Sequence, residues 1–389
     1  MKFAYFIPTR IIFGSGKLND LHKQVLPGKK ALIVTSAGQS VKVNGYLDRL
    51  TAQLDKAGVS HVLFDKILPN PVKDHVMEGA AAAREHGCDF VIGLGGGSPI
   101  DSAKSIAVMA TNDGDYWDYV GGGSGGGKPI LNDPLPIVAI TTTAGTGTEA
   151  DQWTVITKTE TNEKIGFGYD KTFPTLAVVD PELMLTVPPA LTAYQGFDAL
   201  FHSAEGYIAT KASPLGDMMS LESIRLVGKS LAAAVQDGSN LQAREDIAWA
   251  NTLAGMVEAV SSCISQHAME HPLSGYHPEV AHGAGLIMIC EAYFAHIAQK
   301  HGADEKMVNM AKALGKSNAK HPMDFVAALR DLMQACDVDT LTMSDYGITR
   351  EELPHLAQAA RDTMGGLFTV DPCEVSLQDE IRIYEESYR

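Results

Sequence analysis

The sequence predicts an α/β domain with a parallel sheet over residues 1–186, followed by an all-α domain over residues 187–389. Three observations predict it. Short β-rich runs alternate with helix-length segments through the first half, the pattern of βαβ units. Strand signals stop near Leu191, and Ala-, Leu- and Met-rich helical runs follow. Two prolines in Thr186-Val-Pro-Pro189 interrupt the pattern where the two regimes meet. A chain of 389 residues is also long for one hydrophobic core. A cleft between two such domains is the expected place for a ligand.

The elements follow in order. Residues 3–7 are apolar enough for a strand, either an edge strand pairing across a dimer or an internal one. Residues 31–35 read as a strand, 46–58 as a helix and 62–64 as a strand. Residues 76–86 form an Ala-rich helix, and 89–94, apolar after Asp89, read as a strand buried on both faces. Residues 136–141 and 176–180 extend the sheet. The helical runs include 220–235 and 243–260. The stretch Gly121-Gly-Gly-Ser-Gly-Gly-Gly127 with Lys128 nearly matches a phosphate-cradling loop. However, Pro129 stands where a magnesium-binding hydroxyl should be, and no strand leads into it. It reads as a flexible loop.

Apolar residues make up 45% of the chain and charged residues 20%, an ordinary globular balance. The net charge of −16 argues against a nucleic-acid or anionic-membrane surface, since both need clustered Lys and Arg. The five cysteines, Cys88, Cys263, Cys290, Cys336 and Cys373, form no CxxC pair. They predict reduced, mostly buried thiols in a cytoplasmic protein. No leader-like segment opens the chain and no long apolar run suggests a membrane span.

Two loops carry a nucleotide signal. Residues 90–94 run into Gly95-Gly-Gly-Ser98, and a helix begins at Pro99. Glycine lets the backbone approach a pyrophosphate, and a helix N-terminus offers N–H groups and partial positive charge. The pattern is GxGxxS, which alone is weak as a Rossmann-like fingerprint and equally suits a tight turn. A second loop, Thr142-Thr-Ala-Gly-Thr-Gly-Thr-Glu149, follows another strand. Two such loops at one sheet edge favour a nucleotide site.

The second half carries a metal signal. Asp198 and His202 are four apart, which puts both on one helix face. His267 and His271 repeat the spacing, and His282 follows in a loop. A lone histidine on an apolar helix is usually a satisfied core or surface residue. Four histidines, His267, His271, His277 and His282, within 16 positions are harder to dismiss. Carboxylate with imidazole suits Fe²⁺, Zn²⁺, Mn²⁺ or Co²⁺.

Taken together, Gly95-Gly-Gly-Ser98-x-x-Asp101, Thr142-Thr-Ala-Gly-Thr146, Gly196-Phe-Asp198-Ala-Leu-Phe-His202 and His267-x₃-His271 with His282-Gly283 resemble the iron-containing (group III) alcohol dehydrogenase family. Its architecture is shared with dehydroquinate synthase-like enzymes. The resemblance implies that Asp198, His202, His267 and His282 bind the metal, with Fe²⁺ first and Zn²⁺ as an alternative. It places His271 beside the nicotinamide and substrate. It implies that Asn70, Gly96, Gly97, Ser98, Asp101, Thr142, Thr143, Thr146 and Lys164 line the dinucleotide. Two departures stand out. Many members have an Asp where this chain has Ser36; a carboxylate there would bind a ribose 2′-hydroxyl and repel a 2′-phosphate. Ser36, Ser40 and Lys42 can instead donate to that phosphate, so NADP is favoured over NAD. The His271-to-His282 spacing is one residue longer than in the commonest members, which leaves His277 as a weaker alternative ligand.

The implied chemistry is reversible hydride transfer between NAD(P)(H) and a small alcohol or aldehyde, with the metal as Lewis acid. His271 would either relay a proton or support the metal site. A homodimer or larger homo-oligomer is expected by the same resemblance. The alternatives are a hydroxyacid–oxoacid transhydrogenase, which keeps its cofactor bound, and a dehydroquinate synthase-like lyase, which would need a basic pocket for a phosphorylated acid.

Overall fold

The computed structural model describes residues 3–389. The first half contains β1 (Arg10–Phe13), β2 (Lys30–Ser36), α1 (Ser40–Val43), α2 (Tyr46–Ala57), β3 (Ser60–Ile67), α3 (Lys73–Glu85), β4 (Phe90–Gly95) and α4 (Gly97–Met109). It continues with β5 (Ile137–Thr141), β6 (Thr154–Lys158), β7 (Glu163–Phe167) and β8 (Leu176–Val179). Six strands form one parallel sheet in the order β1-β8-β5-β4-β2-β3. Strands β4, β5 and β8 are buried throughout. That explains their unbroken apolar runs: a central parallel strand has no solvent face to make polar.

The register decides where ligands can go. Gly95 at the end of β4 lies beside Thr141 at the end of β5. The glycine turn and the threonine loop therefore leave the sheet side by side at its carboxyl edge. From β2 the winding runs to β3 on one side and to β4 and β5 on the other. The β4 loop thus sits at the switch point, the favoured ligand position in open α/β sheets.

Three features differ from the expectations. Residues 3–9 form no strand; regular structure begins at Arg10. Pro8 has no N–H to give to a sheet ladder, which interrupts strand pairing between the apolar run and β1. An antiparallel hairpin, β6 with β7, was not foreseen. Its connection has no glycine; Asn162 adopts the left-handed conformation instead, at φ 54°. The glycine run 121–127 is a hydrogen-bonded turn rather than a loose loop. Gly126 N–H donates to Trp117 O (2.9 Å), Gly127 N–H to Val120 O (3.0 Å), and Ser124 N–H to Glu163 Oε1 (2.6 Å).

The second half is helical: α5 (Pro189–Ile208), α6 (Pro214–Gln236), α7 (Leu241–Val260), α8 (Ser265–Tyr276), α9 (His282–Gln299), α10 (Asp304–Ala313), α11 (Met323–Ala335), α12 (Leu353–Met364) and α13 (Leu377–Ser387). Aromatic residues Phe197, Phe201, Phe294 and Phe325 pack its centre in a chain of ring contacts from 5.0 to 6.0 Å between centroids. Compact unit one holds residues 7–143 and 147–186; compact unit two holds the segment ending at Phe6, residues 144–146 and 187–389. The tripeptide Ala144–Thr146 thus belongs with the helices although it follows β5. Among the described residues no single helix is long and apolar enough to cross a membrane, and all five cysteines are free thiols.

Candidate active site

Helix α5 carries Asp198, His202 and Glu205, spaced four and three apart, so all three fall on one stripe. All three are buried. Helix α8 carries His267, Glu270 and His271 in the same manner. His282 is not in a loop; it is the first residue of α9. The Gly283–Ala–Gly285 sequence hides that helix start, but the glycine has a steric purpose. A Cβ on Gly283 would fall 2.1 Å from the Tyr194 carbonyl oxygen, so only glycine lets α9 begin against α5. That approach carries His282 to Asp198.

Three imidazole nitrogens surround one carboxylate oxygen, Asp198 Oδ1. His202 Nδ1 lies 3.5 Å from it, and the Nε2 atoms of His267 and His282 each lie 3.6 Å from it. Asp198 Oδ1, His202 Nδ1 and His267 Nε2 are buried and have no hydrogen-bond partner among the described residues. Buried polar atoms are normally satisfied, so three orphans aimed at one point call for a missing partner. A four-coordinate ion with ligand bonds of ~2.1 Å holds its ligands about 3.4 Å apart, close to the three spacings to Asp198 Oδ1. Asp198, His267 and His282 offer atoms all within 4.8 Å of one another, and His202 groups with His267 and Cys263. The donor set could therefore hold a divalent ion. Burial works to raise the Asp198 carboxyl, but His202, His282 and His267 outweigh it and hold its pKa at about 2.

Each imidazole is backed by a glutamate from another helix. His267 Nδ1 lies 2.5 Å from Glu205 Oε1, and Glu205 also accepts the Ile264 N–H at 2.6 Å. His282 Nδ1 is hydrogen-bonded to Glu270. His202 Nε2 lies 3.5 Å from Glu258 Oε2. A carboxylate on one ring nitrogen fixes the tautomer and leaves the other nitrogen's lone pair for a cation. Glu205, Glu258 and Glu270 were not singled out from the sequence, although Glu205 and Glu270 each lie three residues past a candidate ligand. Cys263 also stands within reach of His202 and His267. Burial pushes its thiol pKa well up, and the Sγ–H points to Glu258 Oε1 at 3.4 Å, so it presents a thiol rather than a thiolate.

His271 is buried, with its ring centroid 5.7 Å from that of His282. His277 lies elsewhere: its Nε2 is 3.3 Å from Glu352 Oε1. It faces Glu352, just before α12, and not Asp198, so the alternative ligand drops out. The loop after β5 also reaches the metal-type cluster. Gly145 has no room for a side chain, since a Cβ would lie 2.9 Å from Gln195 Cα and 3.1 Å from Asp198 Oδ2.

The residues singled out for a dinucleotide are placed as follows. Gly96 sits against Thr143, where a Cβ would fall 2.9 Å from its Oγ1. Gly97 and Ser98 form the first turn of α4, whose N–H groups have no partner within a helix. Thr142 N–H donates to Gly95 O at 2.8 Å. Thr146 falls with the helical unit. Lys164 Nζ donates to Asn70 Oδ1 at 3.2 Å, so two residues 94 apart in sequence meet. Asp101 is buried and its carboxylate accepts from Thr148 Oγ1 (2.7 Å) and Val155 N–H (2.9 Å). Ser36 is half-buried and Ser40 exposed, while Lys42 is paired with Asp65 at 2.5 Å.

A parallel α/β unit with two loops at its carboxyl edge, and a helical unit with a carboxylate–imidazole cluster, define a class: metal- and nucleotide-dependent oxidoreductases. Sequence and structure comparisons make the class particular. The iron-containing alcohol dehydrogenase family profile matches residues 8–181, and its Fe-containing alcohol dehydrogenase C-terminal counterpart matches residues 192–388. The chain is 35% identical to a 1,3-propanediol dehydrogenase of Klebsiella pneumoniae over 92% of each chain. It is 36% identical to the long-chain primary alcohol dehydrogenase AdhA of Thermoanaerobacter ethanolicus, over 97% of this chain and 95% of that one. A crystal structure of an archaeal Red Sea brine pool alcohol dehydrogenase bound to NZQ superposes with a TM-score of 0.94 at 36% identity, covering 100% of this chain and 99% of the other. The chain belongs to the iron-containing alcohol dehydrogenase family. It is an oxidoreductase, an NAD(P)- and metal-dependent alcohol dehydrogenase.

Proposed function

We propose that Asp198, His202, His267 and His282 hold Fe²⁺, and that the enzyme moves a hydride between a small primary alcohol and NADP⁺, reversibly. The observation that carries this reading is the convergence of three imidazole nitrogens within 3.6 Å of Asp198 Oδ1, with three of these four atoms otherwise unpartnered. When bound, the divalent ion supplies Lewis acidity that lowers an alcohol's pKa and polarises an aldehyde carbonyl.

The chain's own residues do the rest. Glu205, Glu258 and Glu270 orient the histidines so that one nitrogen of each faces Asp198. His271, four residues after His267 on α8, takes the hydroxyl proton when alcohol is oxidised and returns it when aldehyde is reduced. Gly96, Gly97 and Ser98 supply close backbone and N–H groups for the pyrophosphate. Thr142, Thr143, Thr146, Asn70 and Lys164 bind along the dinucleotide, and the Ser36 and Ser40 hydroxyls donate to the 2′-phosphate. Residues 1–186 are the dinucleotide-binding domain and 187–389 the metal-binding domain in this reading. The enzyme works in the cytoplasm as a homo-oligomer.

The test is aldehyde-dependent oxidation of NADPH and NADH by anaerobically purified protein, with and without added Fe²⁺. Metal-stimulated oxidation, faster with NADPH, supports the reading. No oxidation of either nucleotide by folded, metal-loaded protein refutes it in favour of a transhydrogenase or lyase.

A further inference from the structure

We propose that Lys104 and Thr148 are positioning residues for the nicotinamide dinucleotide: with Asp101 they form a buried clamp that locks the threonine loop onto the glycine-turn helix and thereby sets cofactor affinity. The inference rests on the nucleotide-binding reading above and adds residues that touch no ligand.

Asp101 and Lys104 lie three apart on α4, hence on one face of the helix that starts at the glycine turn. Lys104 is wholly buried. A buried ammonium persists only if its donors are satisfied. Lys104 Nζ shares its three N–H donors among four acceptors, Thr148 Oγ1 (2.6 Å), Trp153 O (2.6 Å), Asp151 Oδ1 (3.0 Å) and Asp151 O (3.0 Å). Thr148 belongs to the threonine loop itself, and Asp151 and Trp153 lie on the segment that follows it. Thr148 in turn donates its hydroxyl proton to Asp101 Oδ1 at 2.7 Å. Its oxygen therefore accepts from a cation while its proton goes to an anion, with the Trp153 carbonyl as a longer second acceptor at 3.3 Å. Asp101 Oδ2 takes the Val155 N–H at 2.9 Å, and Asp151 Oδ1 takes the Trp153 N–H at 2.6 Å.

The other end of the loop is pinned to the same motif. Thr142 N–H donates to Gly95 O at 2.8 Å, Thr141 Oγ1 donates to Thr143 O at 2.9 Å, and Thr143 packs on Gly96. The stretch from Thr142 to Val155 is thus tied at both ends to β4 and α4. A loop held this way pays its ordering cost on folding rather than on binding, which is how a rigid scaffold raises affinity without contact.

The discriminating variant is Thr148→Val, which keeps the side-chain shape and the Lys104–Asp151 pair but deletes the bridging hydroxyl. Binding of NADPH and NADH is followed by fluorescence, alongside KM, kcat, metal content and thermal unfolding. The expected result is a nucleotide Kd and KM raised about tenfold, with kcat at saturating nucleotide and metal content unchanged. Thr148→Ser, which restores the hydroxyl, should recover wild-type affinity. Should the Val variant not fold, Thr148→Ala, which also deletes the bridging hydroxyl, carries the test with the same KM defect and unchanged kcat. Unchanged nucleotide affinity in a folded variant overturns the clamp and leaves it a packing feature. So does a defect that Ser fails to rescue. A wild-type protein that binds neither nucleotide would instead overturn the nucleotide reading itself.

Discussion

Replacing Glu205 by Gln removes one negative charge and turns one of two acceptor oxygens into a donor. Glu205 is fully buried on α5, 2.5 Å from His267 Nδ1, and its other oxygen accepts the Ile264 N–H. The amide oxygen of Gln can still accept from Nδ1, so the His267 tautomer is retained. What is lost is the charge assistance, together with the acceptor for the Ile264 N–H, which the amide NH2 then faces. Hydrogen bonds to charged groups contribute about 1.5–3 kcal/mol against about 0.5–1.5 for neutral ones. The difference of roughly 1–1.5 kcal/mol bears on how strongly His267 Nε2 donates to a cation. Loss of such an outer carboxylate typically weakens metal binding about 10–100-fold, and this arithmetic places Glu205→Gln at about the lower figure. The assay is anaerobic competition for Fe²⁺ or Co²⁺ against a chromophoric chelator, with nucleotide binding as the control. An unchanged metal Kd in a folded variant would refute the argument, because the brace would then do nothing for the donor atom. Glu205→Leu is the harsher comparison. It strands the Ile264 N–H and a buried imidazole N–H, so it should also lower stability by about 1–3 kcal/mol.

Other expectations follow from the same geometry. His271→Asn should lower kcat about a hundredfold with metal content unchanged; loss of metal instead would assign His271 to supporting the ion. Ser36→Asp should shift preference toward NADH, read as the ratio of kcat/KM values, since a carboxylate repels the 2′-phosphate; an unaltered ratio would remove the basis for favouring NADP. Asp371 is buried beneath α8, accepting from Ser265 N–H (3.0 Å) and Tyr293 Oη (3.3 Å). Burial, reinforced by Glu205, pushes its pKa up to about 7. An acid whose folded pKa is raised binds more protons folded than unfolded between about pH 4 and 7, so stability falls as pH rises through that window. Asp371→Asn should flatten that part of a Tm-against-pH curve for metal-free protein, and an unchanged slope would show that Asp371 does not titrate there.

What could be read from the chain alone were the features that depend on neighbours in sequence. Buried parallel strands declare themselves by continuous apolar runs, because both faces meet protein. The Asp198–His202 and His267–His271 pairs were legible because helix periodicity converts a spacing of four into a shared face. The glycine turn was legible because a strand must end and a helix must begin there.

Local rules also failed where they had to. The β6–β7 hairpin hid behind an asparagine in a glycine conformation. Gly283 and Gly285 depress helix propensity right after His282, yet they answer to distant surfaces, the Tyr194 carbonyl and the Glu270 side chain, and His282 opens α9. Asn70 meets Lys164, and Glu205 meets His267, across 94 and 62 positions. No periodicity connects such pairs.

The sequence by itself therefore determined the fold class, the two loops and the four candidate ligands, since each rests on short-range patterning or on family motifs. Only the tertiary structure decided which glutamate braces which histidine, that His277 faces away, that Lys42 is paired with Asp65, and that Asp101 is held by Thr148. Those choices depend on how closely helices and loops approach, and approach is set by packing over the whole core rather than by the residues that meet.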